Sequence, residues 1–290
     1  MTPVELIDFC SAELTQARVA FGQGTLSADD EAAWLVLWAL KLPLDIDTST
    51  LNTALADSDI QTVQDLLHKR IDTRQPLAYL TGEAWLQGVS FQVDERCLIP
   101  RSLIAEVIAQ GSMDPWLHPD SVRALDLCTG GGSLAVLLAL AYPQLHTDAL
   151  DISADALAVA QINIERHDLQ QRIETRLSDG LQQATGKYDL IVCNPPYVNE
   201  QSMGVLPEEF LAEPSLALDG GADGMGFIRG LLEQAPAFMT DDGVMLLEIG
   251  HEIEHFNRAF PALDVMYLST SAGDEQVMLI TRQALLSCLP

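Results

Sequence analysis

The sequence predicts an α/β protein in which a doubly wound sheet follows a small helical bundle, and three observations carry that prediction. From Val122 onward, short apolar runs alternate with helical spacing, the pattern of strands joined by crossover helices. The first run ends in Cys128-Thr-Gly-Gly-Gly132, a glycine turn that opens a helix and lets backbone approach a ligand closely. Over residues 3 to about 70 the alternation is absent, and apolar residues recur at three and four instead.

The helical positions in that first part are Leu6, Phe9, Cys10 and Leu14, then Trp34, Leu35, Leu37, Trp38 and Leu42, then Ile60, Val63, Leu66 and Leu67. Ser27-Ala-Asp-Asp-Glu31 supplies N-cap candidates for the second helix, and Pro43 with Asp45 and Asp47 stops it. Trp34 and Trp38, four apart, share one face and read as core. Around Arg74–Leu80 this pattern gives way to two extended runs, Trp85–Val93 and Cys97–Arg101. Separated by Asp94-Glu-Arg96, they predict a hairpin joining two domains. Next come a helix over Leu103–Gln110 and a proline-bearing loop. The alternating part follows: Ala124–Leu127, helix Ser133–Ala141, Thr147–Leu150, helix Ala154–Arg166, Ile173–Leu177 and Leu190–Cys193, with later strands at Val244–Ile249 and Gln276–Ile280. The organisation expected is a helical substrate-recognition domain over 1–88, a hairpin linker over 89–101 and a catalytic domain over 102–290.

Hydrophobic residues make up 48% of the 290, enough for a substantial core. The net charge of −27, with only 15 Lys and Arg, argues against a duplex nucleic-acid partner, because phosphate binding depends on cationic side chains. It suits a basic protein partner, and equally serves simply to keep the chain soluble. The five cysteines are scattered with no C-x-x-C pair, so neither a zinc site nor a disulfide framework is signalled and a reducing cytoplasm fits. Ala32–Leu40, the longest apolar run near the start, is too short to span a bilayer, so no membrane role is expected. His251 and His255 stand four apart without a third ligand, and no metal is expected.

Two constellations carry chemistry. Asp126 closes the first strand, Cys128, Thr129, Gly130, Gly131 and Gly132 form the turn, Asp151-Ile152 close the second strand, and Ser178-Asp179-Gly180 the third. Asp151 lies 21 residues after Gly130, where a carboxylate can accept both ribose hydroxyls. A dinucleotide fits poorly, since Ala135 stands where a third glycine is expected and Asp126 would repel a pyrophosphate. S-adenosylmethionine, bearing an ammonium and a sulfonium, fits better: Asp126 would take the ammonium and Asp179 the adenine amino group. Singly, each Asp is also a helix N-cap candidate.

The second constellation is Asn194-Pro195-Pro196-Tyr197, at the end of the apolar strand Leu190–Cys193. The prolines fix φ and lack N–H groups, and Pro195 drives Asn194 extended, so rigid acceptors point out of the strand end. A planar amino group can donate to the Asn194 side chain and the Pro195 carbonyl while Tyr197 stacks on its plane. The tetrapeptide alone is equally a rigid strand-to-loop turn.

Taken with Arg74-Gln-Pro-Leu-Ala-Tyr79 and Leu98-Ile-Pro-Arg101, these residues resemble the class I (Rossmann-like) methyltransferases of the HemK type along essentially the whole chain. That resemblance implies methyl transfer from S-adenosylmethionine to a glutamine side-chain amide in a translation protein. Asn194, Pro195 and Tyr197 would be catalytic, with Asn194 also on the cofactor, and Pro196 and Arg101 would join them on the substrate. Arg101-Ser102 with Glu106, Phe21-Gly-Gln-Gly24, Leu42-Pro-Leu-Asp45, Cys128-Thr-Gly130, and Leu206–Phe210 with Glu213-Pro214 are similar to the branch that modifies large-subunit ribosomal protein three rather than a release factor. Gly131 departs from that branch, which commonly has Ser there; the cofactor should still enter, without one hydroxyl contact. The tetrapeptide is shared with adenine-N6 methyltransferases, but base flipping would need a basic groove that the charge denies. A non-catalytic scaffold is opposed by the intact Asp126, Asp151 and Asn194–Tyr197.

Overall fold

The computed structural model describes residues 1–118 and 120–288. Four helices come first: α1 Pro3–Gln16, α2 Ala28–Ala39, α3 Asp57–Thr73 and α4 Leu77–Thr81. Thr2 and Glu5 form a capping box on α1, and the Ser27 hydroxyl accepts from Asp30 N–H to cap α2. Leu6, Cys10, Leu14, Leu35, Val63 and Leu67 are buried, as their spacing requires. Trp34 is buried as well, but Trp38 keeps a partly exposed edge.

Strands β1 (Glu83–Leu86) and β2 (Val89–Gln92) pair antiparallel, with Trp85 opposite Ser90. The hairpin therefore spans residues 83–92, overlapping the run Trp85–Val93 and starting before it, and Cys97–Arg101 is not a strand. Its two turn residues, Gln87 and Gly88, both have positive φ, at 50° and 74°. That is the turn whose twist matches paired strands. Gln-Gly lacks the usual Asn-Gly signature, which is why the sequence suggested a later turn.

Helix α5 (Ile104–Ala109) leads to β3 (Arg123–Leu127), α6 (Ser133–Ala141), β4 (His146–Asp151), α7 (Ala154–Arg166), β5 (Ile173–Leu177) and β6 (Tyr188–Cys193). Next are two single turns, α8 (Glu200–Met203) and α9 (Glu208–Leu211), then α10 (Gly226–Gln234), β7 (Met239–Glu248), α11 (Ile253–Ala259), β8 (Met266–Thr270), β9 (Gly273–Thr281) and α12 (Arg282–Cys288). The sheet order is β5-β4-β3-β6-β7-β9-β8, parallel except for β9, which is antiparallel to both its neighbours. Strand order reverses between β3 and β6, the switch point at which α/β sheets bind ligands. The edge strand β8 was absent from the sequence reading, although Val265–Leu268 is a short apolar run; as an edge strand it leaves Met266 and Tyr267 exposed.

One cluster of buried residues runs from Leu6, Leu35 and Leu67 through Phe91 and Ile99 to Leu138, Val192 and Leu279, so bundle, hairpin and one sheet face share a core. A second cluster, including Leu125, Ile191, Met245 and Ile228, covers the other face. A buried polar seam adds to the first. Arg70, 1% exposed, bonds Glu31 at 2.7 Å and approaches Glu209 at 3.6 Å, while Arg74 reaches Glu209 at 3.3 Å. Gln23 donates to Glu213 at 3.0 Å. Deleting residues 1–88 would strip that core and leave Glu209 and Glu213 short of partners, so the bundle is not expected to be removable. Among the described residues no helix is long and apolar enough to cross a membrane.

Candidate active site

The carboxyl ends of β3, β4, β5 and β6 open onto one cavity. Leu127, Cys128 and Gly130 line it from the first strand end, Asp151, Ile152 and Ser153 from the second, Ser178, Asp179 and Gly180 from the third, and Asn194 and Pro196 from the fourth. The parallel register brings them together: Leu127 lies beside both Leu150 and Cys193, and Asp151 beside Leu177.

The glycine turn is built for backbone approach. Gly130 has φ +54°, and a Cβ there would meet nothing within 4 Å. Gly132, at φ +81°, starts α6, and a Cβ on it would press Ala160 of α7 at 3.1 Å. Gly131 is buried and does not line the cavity; a Cβ there would lie 3.2 Å from the Cys97 sulfur. A side chain at 131 would meet Cys97 and Asn163 first. Cys128 adopts φ +60° without being glycine, a strained conformation of the kind that collects at binding turns.

Asp151 ties the two loops together, accepting Gly130 N–H at 2.8 Å and Ser153 N–H at 2.8 Å. Burial raises its pKa despite those donors. Asp126 stands one layer behind the wall, 1% exposed. Its Oδ2 accepts from the Thr129 hydroxyl at 2.5 Å and Ala135 N–H at 2.9 Å, so Thr129 serves the turn and does not line the cavity. Asp126 Oδ1 is buried with no hydrogen-bond partner among the described residues. Desolvation pushes the Asp126 carboxyl up to about 7. Asp179 is exposed, and among the described residues its side chain accepts only from Gln182, at 3.2 Å.

The second constellation divides. Asn194 and Pro196 face the cavity; Pro195 is buried behind them, and Tyr197 is not part of the wall. The Tyr197 hydroxyl donates to Glu248 at 3.2 Å, and Glu248 also accepts from Ser102 Oγ at 2.6 Å and Leu103 N–H at 2.9 Å. Burial, with Glu248 alongside, raises the Tyr197 phenol well above its ordinary pKa. Glycines admit this tyrosine: a Cβ on Gly250 would fall 2.4 Å from its ring, and one on Gly224 2.2 Å from its carbonyl oxygen. Arg101 is likewise off the cavity. Its guanidinium is bidentate to Glu213 at 2.6 and 2.8 Å and lies over the Phe210 ring at 5.6 Å, so it clamps the 208–217 segment and is not free for a substrate.

Several wall residues escaped the sequence reading. Cys97 and Leu98 enter from the loop after the hairpin, Pro214, Leu216 and Ala217 from the segment held by Glu213, and Phe227 from α10. Leu98 and Pro214 stand in motifs that carry the resemblance, but nothing local puts any of these residues on the wall, because their place depends on long-range packing. Asn163 of α7 was also missed; it bonds Gln92 N–H at 2.7 Å and the Gly131 carbonyl at 2.8 Å, locking hairpin to glycine turn. His251 and His255 both approach Glu252, and among the described residues no group of three His, Cys, Asp or Glu can hold a metal.

The donor set suits S-adenosylmethionine: an unsatisfied buried carboxylate oxygen for an ammonium, a carboxylate on the second strand end for ribose, and in the lining a single basic side chain, Arg96, which is already paired with Asp94. Asp151→Ala is expected to weaken cofactor binding about 10–100-fold, the loss of charge-assisted hydrogen bonds. Calorimetric titration reads it, and an unchanged affinity would mean that Asp151 serves only the loops. Asp126 gives a pH signature. Because its folded pKa is raised, its contribution to folding is full below the ordinary carboxylate range and is lost as pH rises through about 7. A bound cation prefers the ionised form, so cofactor affinity should rise with pH through about 7 and flatten in Asp126→Asn. A flat wild-type profile would remove Asp126 from the cofactor site.

The Methyltransferase small domain family model matches residues 115–225. A ribosomal protein uL3 glutamine methyltransferase of Bordetella pertussis is 49% identical over 286 residues, covering 97% of this chain and 95% of its own. One from Neisseria gonorrhoeae is 44% identical over 97% of this chain and 95% of its own. Among solved structures, the human METTL16 catalytic domain, bound to an RNA hairpin, superposes with TM-score 0.52 at 17% identity over 79% of this chain and 82% of that one. At that identity only the fold is shared.

Proposed function

As the chain belongs to the family of ribosomal protein uL3 glutamine methyltransferases, we infer that its cavity holds S-adenosylmethionine beside a single glutamine side chain of uL3 and methylates the amide nitrogen. S-adenosylmethionine supplies a methyl group on a sulfonium sulfur. The observation that carries the reading is Asn194, placed at a strand end on the wall that also holds Asp151 and the glycine turn.

An amide nitrogen is a poor nucleophile because its lone pair is delocalised, so orientation must supply much of the rate. The Asn194 side-chain oxygen and the Pro195 carbonyl accept the two amide N–H groups, which fixes the nitrogen and stabilises positive charge developing on it. Tyr197, held by Glu248 off the cavity wall, fixes the turn that carries Asn194 and Pro195 instead of stacking on the amide. No base is needed beforehand, because the proton passes to solvent only after the nitrogen has become cationic, with S-adenosylhomocysteine as the other product. Residues 1–88 supply contacts to the protein substrate, which is basic and complements the acidic chain, in the cytoplasm. Neither metal nor stable nucleic acid takes part.

The test is incorporation of labelled S-adenosylmethionine into uL3, a release factor and DNA, offered separately. Label confined to one uL3 glutamine is expected; label on the release factor alone, or on adenine, would overturn the reading.

A further inference from the structure

A second, open groove of about 1240 Å³ lies between α2, the loop after it and the hairpin, away from the catalytic cavity. Trp34, Trp38 and Trp85 line it with Leu42 and Leu44, so three of the chain's four tryptophans face one depression. Trp85, on β1, is 43% exposed. Two segments singled out in the sequence meet here, Phe21–Gly24 through Gly24 and Leu42–Asp45 through all four residues. The catalytic cavity uses neither.

We propose that this groove docks an apolar, lysine- or arginine-bearing segment of uL3, the protein that carries the methylated glutamine. The proposal rests on the methyltransferase reading above and deepens it. A pocket that accepts one glutamine side chain cannot choose among proteins, so selection needs a surface elsewhere. Size argues for chain rather than metabolite, because small-molecule sites occupy roughly 300–1,000 Å³. Composition argues for a protein, since tryptophans in an apolar depression are the residues that most often dominate protein–protein binding energy. Charge argues for a basic one. Residues 1–88 hold thirteen Asp and Glu against five Lys and Arg, a net of −8. Of the groove's own charges, Glu83 is paired with Arg166, whereas Asp30 and Asp45 have no ion pair among the described residues; Lys41 is the single cation in the lining.

The experiment uses full-length enzyme labelled with fluorotryptophan, its four resonances assigned by single Trp→Phe changes. Adding uL3 should shift the Trp34, Trp38 and Trp85 signals and leave Trp116, which is outside the groove, unmoved. Trp85→Ala, truncating an exposed strand residue, should raise KM for uL3 about tenfold or more with kcat and cofactor affinity held. Asp45→Lys should also raise KM, by a factor that shrinks with added salt. Unmoved groove resonances while a uL3 glutamine is methylated, or shifts that follow enzyme concentration alone and so report a second copy of this chain, would overturn the proposal. Failure of the intact enzyme to methylate uL3 at all would instead overturn the functional reading.

Discussion

Asn194→Ala should lower turnover by roughly 10²–10³-fold while leaving S-adenosylmethionine affinity nearly intact, because a lost hydrogen bond to charge developing in the transition state falls on kcat. The structure supports a clean separation of the two effects. Asn194 is half-buried at the end of β6, whereas Asp151, the loop it ties and the glycine turn are held by bonds in which Asn194 has no part. The surrounding prolines keep the backbone in place when the side chain is shortened. Single-turnover rates and calorimetry on one preparation give both quantities. Near-normal turnover at saturating substrate would show that the amide is oriented by other groups.

Arg101→Met is expected to cost about 3–5 kcal/mol of folding stability, the usual penalty for orphaning a buried ionic partner. The Glu213 side chain is fully buried and would keep only the Ile99 N–H and Gln23 donors, at 3.0 Å each. The double variant Arg101→Met, Glu213→Gln should recover much of the loss, because it removes the uncompensated charge along with its partner. Cofactor affinity should fall in the single variant too, since Pro214, Leu216 and Ala217 follow Glu213 directly on the cavity wall. Chemical denaturation of wild type, single and double variants decides it, and a loss under about 1 kcal/mol would indicate a surface-like pair.

The local pattern was enough where one element determines its own form. Helices over 133–141 and 154–166 and the strand over 173–177 fall where periodicity and caps place them. The strand-end residues Cys128, Gly130, Asp151, Ile152, Asp179, Gly180 and Asn194 were legible as one wall for the same reason: parallel strands must end together at the switch point of a doubly wound sheet. Trp85–Val93 was legible as extended chain, but its register was not, because Gln87-Gly88 reaches a left-handed turn without the usual residues.

Partnership across long distances in sequence was decided only by the tertiary structure. Arg101 reads as a free cation until folding brings Glu213 to it, and Tyr197 as an open ring until Glu248 and Gly250 close around it. Leu98, Pro214, Leu216 and Phe227 become cavity wall through a shared core that joins the bundle to the sheet, and the tryptophans of α2 become one surface with Trp85 in the same way. Sequence by itself determined the sheet, the glycine turn, the strand-end carboxylates and the chemistry they admit, because propensity, periodicity and turn geometry act over a few residues. Which charges are paired, which aromatics are covered and which surface is left to recognise a partner were settled by packing, because each depends on the free energy of burying groups that lie up to a hundred residues or more apart.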